Sequence, residues 1–98
     1  MAAPKFNDQI HSPVRLRICS TLAAVDAIDF TALRAGLDVT DSVLSKHLAR
    51  LEAVGFVSIT KKTAPGHLRT WVSLTPVGRQ VLAGHLAALR EIAAQSGM

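Results

Sequence analysis

Several features are scarce in this 98-residue chain, and each scarcity narrows what the protein can be. Cysteine is scarce: Cys19 stands alone, so no intrachain disulfide can form and nothing points to an oxidising compartment. The four histidines, His11, His47, His67 and His85, share no metal-ligand spacing, so no metal and no other cofactor is expected. Aromatic residues make up only 4% of a chain that is 49% hydrophobic. The core must therefore be built from Leu, Val, Ile and Ala, a set that favours closely packed helices. Long apolar runs are missing. No segment approaches the roughly 18 residues that span a bilayer, and MAAPKFNDQIHSP has none of the apolar run of a signal peptide. The expectation is a cytoplasmic protein with no membrane partner, folded as one domain over residues 1–98. Catalytic arrangements are missing as well: there is no paired carboxylate, nucleophile–base set or Gly-rich phosphate loop, and the chain does not read as an enzyme.

Acids are scarce in one place. Residues 42–79 hold Lys46, Arg50, Lys61, Lys62, Arg69 and Arg79 against Glu52 alone, an excess of five positive charges. The rest of the chain holds five bases and six acids, a net of −1. Such asymmetry points to an anionic partner.

The elements follow from caps and periods. Ser12-Pro13 starts a helix, with a hydroxyl cap and a proline where its missing N–H costs nothing. Val14, Ile18, Leu22 and Val25 then recur at helical spacing, widened by Leu16, Cys19 and Ala23, predicting a helix over about 13–25. IDF (28–30) predicts a short strand, and TALRAGL (31–37) a short helix capped by Thr31. A tight turn at Asp38-Val39 leads into TDSVLSKHLARLEAVG (40–55), a longer helix with a Thr cap and a Gly stop. Short helix, turn, longer helix over about 31–54 is the helix-turn-helix layout. In FVSITKK and LRTWVSL the period changes to two, and Pro65-Gly66 between them fits a type II turn. This is a hairpin over about 56–74 with a basic tip. Thr75-Pro76 starts a final helix over about 76–95. The class is mainly α with a small β-hairpin, in the order α-β-α-α-β-β-α: a winged helix-turn-helix.

A helical wheel places Leu44, Leu48 and Leu51 on one side of the longer helix. Ser42, Lys46 and Arg50 fall on the other, with Val43, Ser45 and His47 on the flanks and a small Ala49 that obstructs nothing. A face so short, polar and basic fits the major groove. Ser42 and Lys46 reach base edges or phosphates, and Arg50 a phosphate. His47 is either packed at the seam of the two helices or placed on a phosphate. Lys61, Lys62, His67 and Arg69 cluster at the hairpin tip, where a wing would lie along the backbone or minor groove. Trp71 is expected to pack against a helix or a second subunit.

The strings IDFTALRAGLDVTDSVLSKHLARLEAVGFVSITKK and RTWVSLTPVGRQVL resemble a family of small bacterial winged-helix transcriptional regulators, related to the MarR and ArsR families. The resemblance covers about residues 10–90, and LSKHLARLEAVGFV and LTPVGR are its most specific pieces. It implies a homodimeric DNA-binding regulator whose contacts map onto the exposed face of 41–50 and the wing at 61–70. Many relatives carry Gly-Asn where this chain has Ser42-Val43. An Asn there can read adenine through two hydrogen bonds; Val43 can only touch a thymine methyl.

Dimerisation is expected at the last helix, whose apolar positions run nearly all round. Val81, Leu82, His85, Leu86, Leu89 and Ile92, with Phe6 and Ile10 from the N-terminal segment, would pack on a second copy about a two-fold axis. Any small-molecule effector would bind at that interface or between helices. A winged helix can also dock proteins rather than DNA; a mobility shift with genomic DNA separates the two functions.

Overall fold

The computed structural model describes residues 2–97. Its elements are α1 (Pro13–Ala23), β1 (Ile28–Asp29), α2 (Phe30–Leu37), α3 (Asp41–Ala53), β2 (Val57–Ala64), β3 (His67–Leu74) and α4 (Pro76–Gln95). The order is the expected one. The strands form an antiparallel three-stranded sheet, β1-β3-β2, with β3 in the middle. Pairing of β1 onto the hairpin, through Ile28 with Val72 and Asp29 with Trp71, goes beyond the two strands the sequence brings together.

The caps explain the boundaries. Ser12, Thr40 and Thr75 each accept a backbone N–H three residues on, from Arg15, Val43 and Gly78. The cap of α2 is Asp29 rather than Thr31: its carboxylate accepts from Thr31 N–H at 2.8 Å, so Phe30 becomes helical instead of extending the strand. The first helix stops at Ala23, two residues early, because Ala24 and Val25 bond to Thr21 and Leu22 in a tightened last turn. Asp38, in the left-handed region at φ 54°, ends α2 and turns the chain toward α3. After α3, Gly55 at φ 81° allows Phe56 N–H to reach Leu51 carbonyl oxygen and Gly55 N–H that of Glu52, the paired bonds of a Schellman stop. Gly66 at φ 83° matches the third position of a type II turn, and the hairpin loop shrinks to Pro65-Gly66.

The core joins all layers: Ile18, Cys19 and Leu22 from α1, Leu33 and Leu37 from α2, Leu44, Leu48 and Leu51 from α3, Val57, Val72 and Leu74 from the sheet, and Leu82 from α4. Ile10, ahead of α1, is fully buried among them. Burial pushes the Cys19 thiol up to about 11, leaving a core thiol with little thiolate character. LTPVGR (74–79) is a structural joint. Leu74 is buried, Thr75 caps α4 and donates its hydroxyl to Gly55 carbonyl oxygen at 2.7 Å, and Pro76 opens the helix. A Cβ on Gly78 would stand 2.1 Å from the Phe56 carbonyl oxygen, so only glycine lets α4 approach the strand this closely. Arg79 donates to the carbonyl oxygens of Ala23 and Val25, tying α4 to the end of α1. The molecule is long, 54 × 25 × 21 Å, with the wing and the end of α4 extending beyond the packed body.

Candidate nucleic-acid interface

The recognition helix candidate, α3, is anchored by three leucines, Leu44, Leu48 and Leu51, each at most 2% exposed. Their burial orients the rest. Ser42, Ser45, Lys46, Ala49 and Arg50 are exposed, and Val43 is 37% exposed on the flank. Asp41, in the first turn where a carboxylate suits the helix dipole, pairs with Arg34 of α2 at 2.8 Å. Its charge is thereby screened from the face beside it. Being exposed, the pair adds at most a fraction of a kcal/mol to stability.

His47 is half-buried at the seam with α1. Its Nδ1 lies 3.1 Å from Nη1 of Arg15, and since a guanidinium can only donate, Nδ1 must accept. Burial, then Arg15, Lys46 and Arg50, all hold the ring below the ordinary imidazole range. The ring is thus packed against Arg15, and as a neutral imidazole accepting at Nδ1 it keeps an Nε2–H donor.

Arg15 itself is 8% exposed, and its Nε donates to the Gln9 carbonyl oxygen. Gln9 also accepts, through Oε1, from Arg50 Nε at 3.0 Å. Sequence reasoning missed both residues. Arg15 had a signal: it sits three before Ile18 and seven before Leu22, on the buried stripe of α1. Gln9 had none, because its partner lies 41 residues away.

In the wing, pleating divides the basic residues. Val57 and Ile59 on β2, and Val72 and Leu74 on β3, face the core or its edge. The same face therefore continues outward to Lys61, Leu68 and Thr70. Lys62, His67, Arg69 and Trp71 lie on the other face, with Lys62 opposite Arg69. Lys61 and Thr70 share a groove with Ser45, Ala49 and Glu52 of α3. Arg69 turns away: it lies 3.9 Å from the Asp29 carboxylate, donates to His67 Nε2 at 3.2 Å and sits over the half-buried Trp71 ring. The four basic wing residues are all exposed, but they do not form one patch.

Four arginines are structural: Arg15, Arg34 and Arg79, already placed, and Arg17, whose Nη2 donates to Leu37 carbonyl oxygen at 3.0 Å. Arg79, counted in the basic stretch, is therefore held against the end of α1.

The expected interface residues of α4 divide sharply. Leu82 (4% exposed) and His85 (0%) lie inside the chain's own fold, as does Ile10, which corrects their assignment to a contact with a second copy. Asn7 N–H donates to His85 Nδ1 at 2.9 Å, and His11 Nδ1 is 3.3 Å from His85 Nε2. Phe6, 42% exposed, lies against both imidazoles. Val81, Leu86 and Leu89 are half-buried and Ile92 is 52% exposed. At about 100° per residue, Leu89 and Ile92 lie on the same stripe as Gly78, Leu82 and His85. They continue it beyond the part of α4 that packs on the body. Among the described residues, no group of three or more His, Cys, Asp or Glu could hold a metal ion, and no helix is long and apolar enough to cross a membrane.

Comparison with known proteins agrees with this geometry. A family described as winged helix DNA-binding domain matches residues 14–93. An uncharacterized protein of Methanocaldococcus jannaschii is 29% identical over 82 residues, covering 84% of this chain and 89% of that one. The solved transcriptional regulator homologue from Pyrococcus horikoshii OT3 superposes with a TM-score of 0.87 at 28% identity, over 92% of this chain and 89% of that chain. A MarR family transcriptional regulator from Silicibacter pomeroyi is similar with a TM-score of 0.65 at 27% identity, over 87% of this chain and 56% of its own.

Proposed function

The chain belongs to the winged-helix DNA-binding domain family, and we propose that it is a homodimeric transcriptional regulator that binds double-stranded DNA sequence-specifically. One observation carries the reading: Ser45 and Ala49, on the flank of the exposed face of α3, border a single groove with Lys61 of the wing. In this reading α3 enters the major groove, with Ser42, Ser45 and Lys46 toward base edges, Val43 toward a thymine methyl and Arg50 on a phosphate. Lys61 meets the adjoining backbone. Lys62, His67 and Arg69, on the hairpin's other face, meet the flanking strand or minor groove as the wing lies along the duplex.

Dimerisation is supported by the overhang of α4. The stripe that carries Leu82 and His85 inside the fold continues to Leu89 and to Ile92, which this chain leaves half uncovered. A second copy packing there about a two-fold axis, with Phe6 at the rim, would cover it. The two recognition helices would then face half-sites about 34 Å apart.

Titration of a labelled duplex against salt tests the DNA reading. If each subunit neutralises about four phosphates, log affinity against log salt should fall with a slope near −7. Lys46→Ala should weaken binding roughly tenfold or more near 0.1 M salt and make the slope shallower by about one to two. Absence of salt-dependent duplex binding would sink the reading and leave protein docking as the use of this fold.

A further inference from the structure

Residues 5–11 are a bonded bridge between α4 and the recognition helix. On the α4 side, Lys5 N–H donates to Gly84 carbonyl oxygen at 2.9 Å, and Asn7 N–H to His85 Nδ1 at 2.9 Å. Asn7 also accepts, through Oδ1, from Ile10 N–H at 3.1 Å, closing a turn whose far end, Ile10, is fully buried. The turn presents Gln9 to the other side. There its carbonyl oxygen accepts from buried Arg15, and its Oε1 from exposed Arg50 at 3.0 Å.

We propose that Gln9 is a positioning residue for DNA binding, holding the Arg50 guanidinium in the orientation that meets a phosphate. The inference rests on the DNA reading above and adds a residue from outside the helix-turn-helix and wing. Arginine has five N–H donors. Gln9 occupies the one on Nε and leaves both terminal nitrogens for the duplex. A long side chain loses rotamer freedom when it is fixed at an interface. An acceptor mounted on a turn with a buried anchor takes that loss before DNA arrives. A carboxamide does so without cancelling the charge; a carboxylate at the same place would compete with the phosphate. Since the turn is bonded to Gly84 and His85, a shift of α4 would also be felt at Arg50.

The test is a double-mutant cycle with Gln9→Met, which keeps the length but removes the acceptor, and Arg50→Ala. Binding is read by anisotropy on a fluorescein-labelled, mixed-sequence duplex, and folding by thermal melting. Gln9→Met should weaken binding roughly 3- to 10-fold when Arg50 is present and leave it unchanged in the Arg50→Ala chain. Equal losses in both backgrounds, or no loss in either, would overturn the proposal. Should Gln9→Met fail to fold, Gln9→Glu keeps both length and acceptor. It should bind more weakly because its charge offsets that of Arg50; unchanged affinity would overturn the proposal equally. If the parent chain shows no salt-dependent binding, or Arg50→Ala alone changes nothing, the fault lies in the DNA reading itself, and this inference falls with it.

Discussion

The two longer helices, α3 and α4, are both amphipathic, yet they relate to the fold in different ways. In α3 one leucine stripe, Leu44, Leu48 and Leu51, is buried, and the opposite face is exposed, touched by the rest of the chain at Arg50 through Gln9. In α4 the stripe changes role along its length. Gly78, Leu82 and His85 pack on the body, while Ile92, on the same side, stands 52% exposed. A hydrophobic period therefore states that a face will be covered but not by which chain. A helix that outruns its domain can use one stripe for two purposes. The exposed apolar surface of α4 lies at both ends, at Ile92 on the stripe and at Val77 beside it.

The most severe way to break this contrast is to truncate the two ends of that stripe. Leu82→Ala should cost about 2–5 kcal/mol of unfolding free energy, since it opens a cavity in the core. Ile92→Asp should leave the subunit folded and instead convert the assembly to a monomer. Chemical denaturation and size-exclusion with light scattering distinguish these outcomes. A wild-type monomer at micromolar concentration would remove the second use of the stripe altogether.

A smaller effect is expected at the joint between hairpin and α4. Gly78→Ala places a methyl against the Phe56 carbonyl oxygen, a backbone atom that cannot swing aside. The expected loss is about 1–3 kcal/mol, seen as a lower melting temperature. An unchanged melt would show that α4 can slide on the strand.

The smallest effect is a pH dependence that sharpens the contrast between the two helices' histidines, His47 and His85, and the exposed Lys46. His85 must stay neutral to accept from Asn7 N–H, and burial followed by His11 lowers its pKa, while Asp8 opposes the shift. His47 shifts in the same direction. The unfolded chain binds these protons below about pH 6.5, where the native state does not. Stability should therefore be full above about pH 6.5 and decline as pH falls toward the lower native values. His85→Gln should flatten part of that decline in urea titrations at pH 7.5 and 5.5 (roughly one pH unit to either side of the unfolded imidazole's pKa). A steeper fall in the variant would reverse the assignment.

Much of the architecture was legible because it is written locally. Ser12-Pro13, Thr40 and Thr75-Pro76 carry their caps within three residues, and Gly55 and Gly66 sit where positive φ is required. Leu44, Leu48 and Leu51 could be placed by counting. Asp29 was a near miss of the same local kind, a carboxylate two residues ahead of the hydroxyl chosen as the cap. The basic residues were harder. Arg69 and Arg79 looked equivalent to Lys61 and Lys62 in the sequence. Yet one lies beside Asp29 and Trp71, and the other binds the end of α1. A charge count records that a cation exists; its direction depends on which acceptor the fold brings near.

Determined by the sequence alone were the order of elements, their caps and turns, the leucine face of α3 and the concentration of positive charge downstream of it, since each depends on neighbours within about one helical turn or strand pair. Tertiary structure alone decided that Ile10, Leu82 and His85 belong to the chain's own fold, that Arg69 turns to Asp29 and Arg79 to the end of α1, and that Gln9 touches Arg50. Those outcomes rest on contacts between residues far apart in the chain, and no local period encodes which distant group arrives.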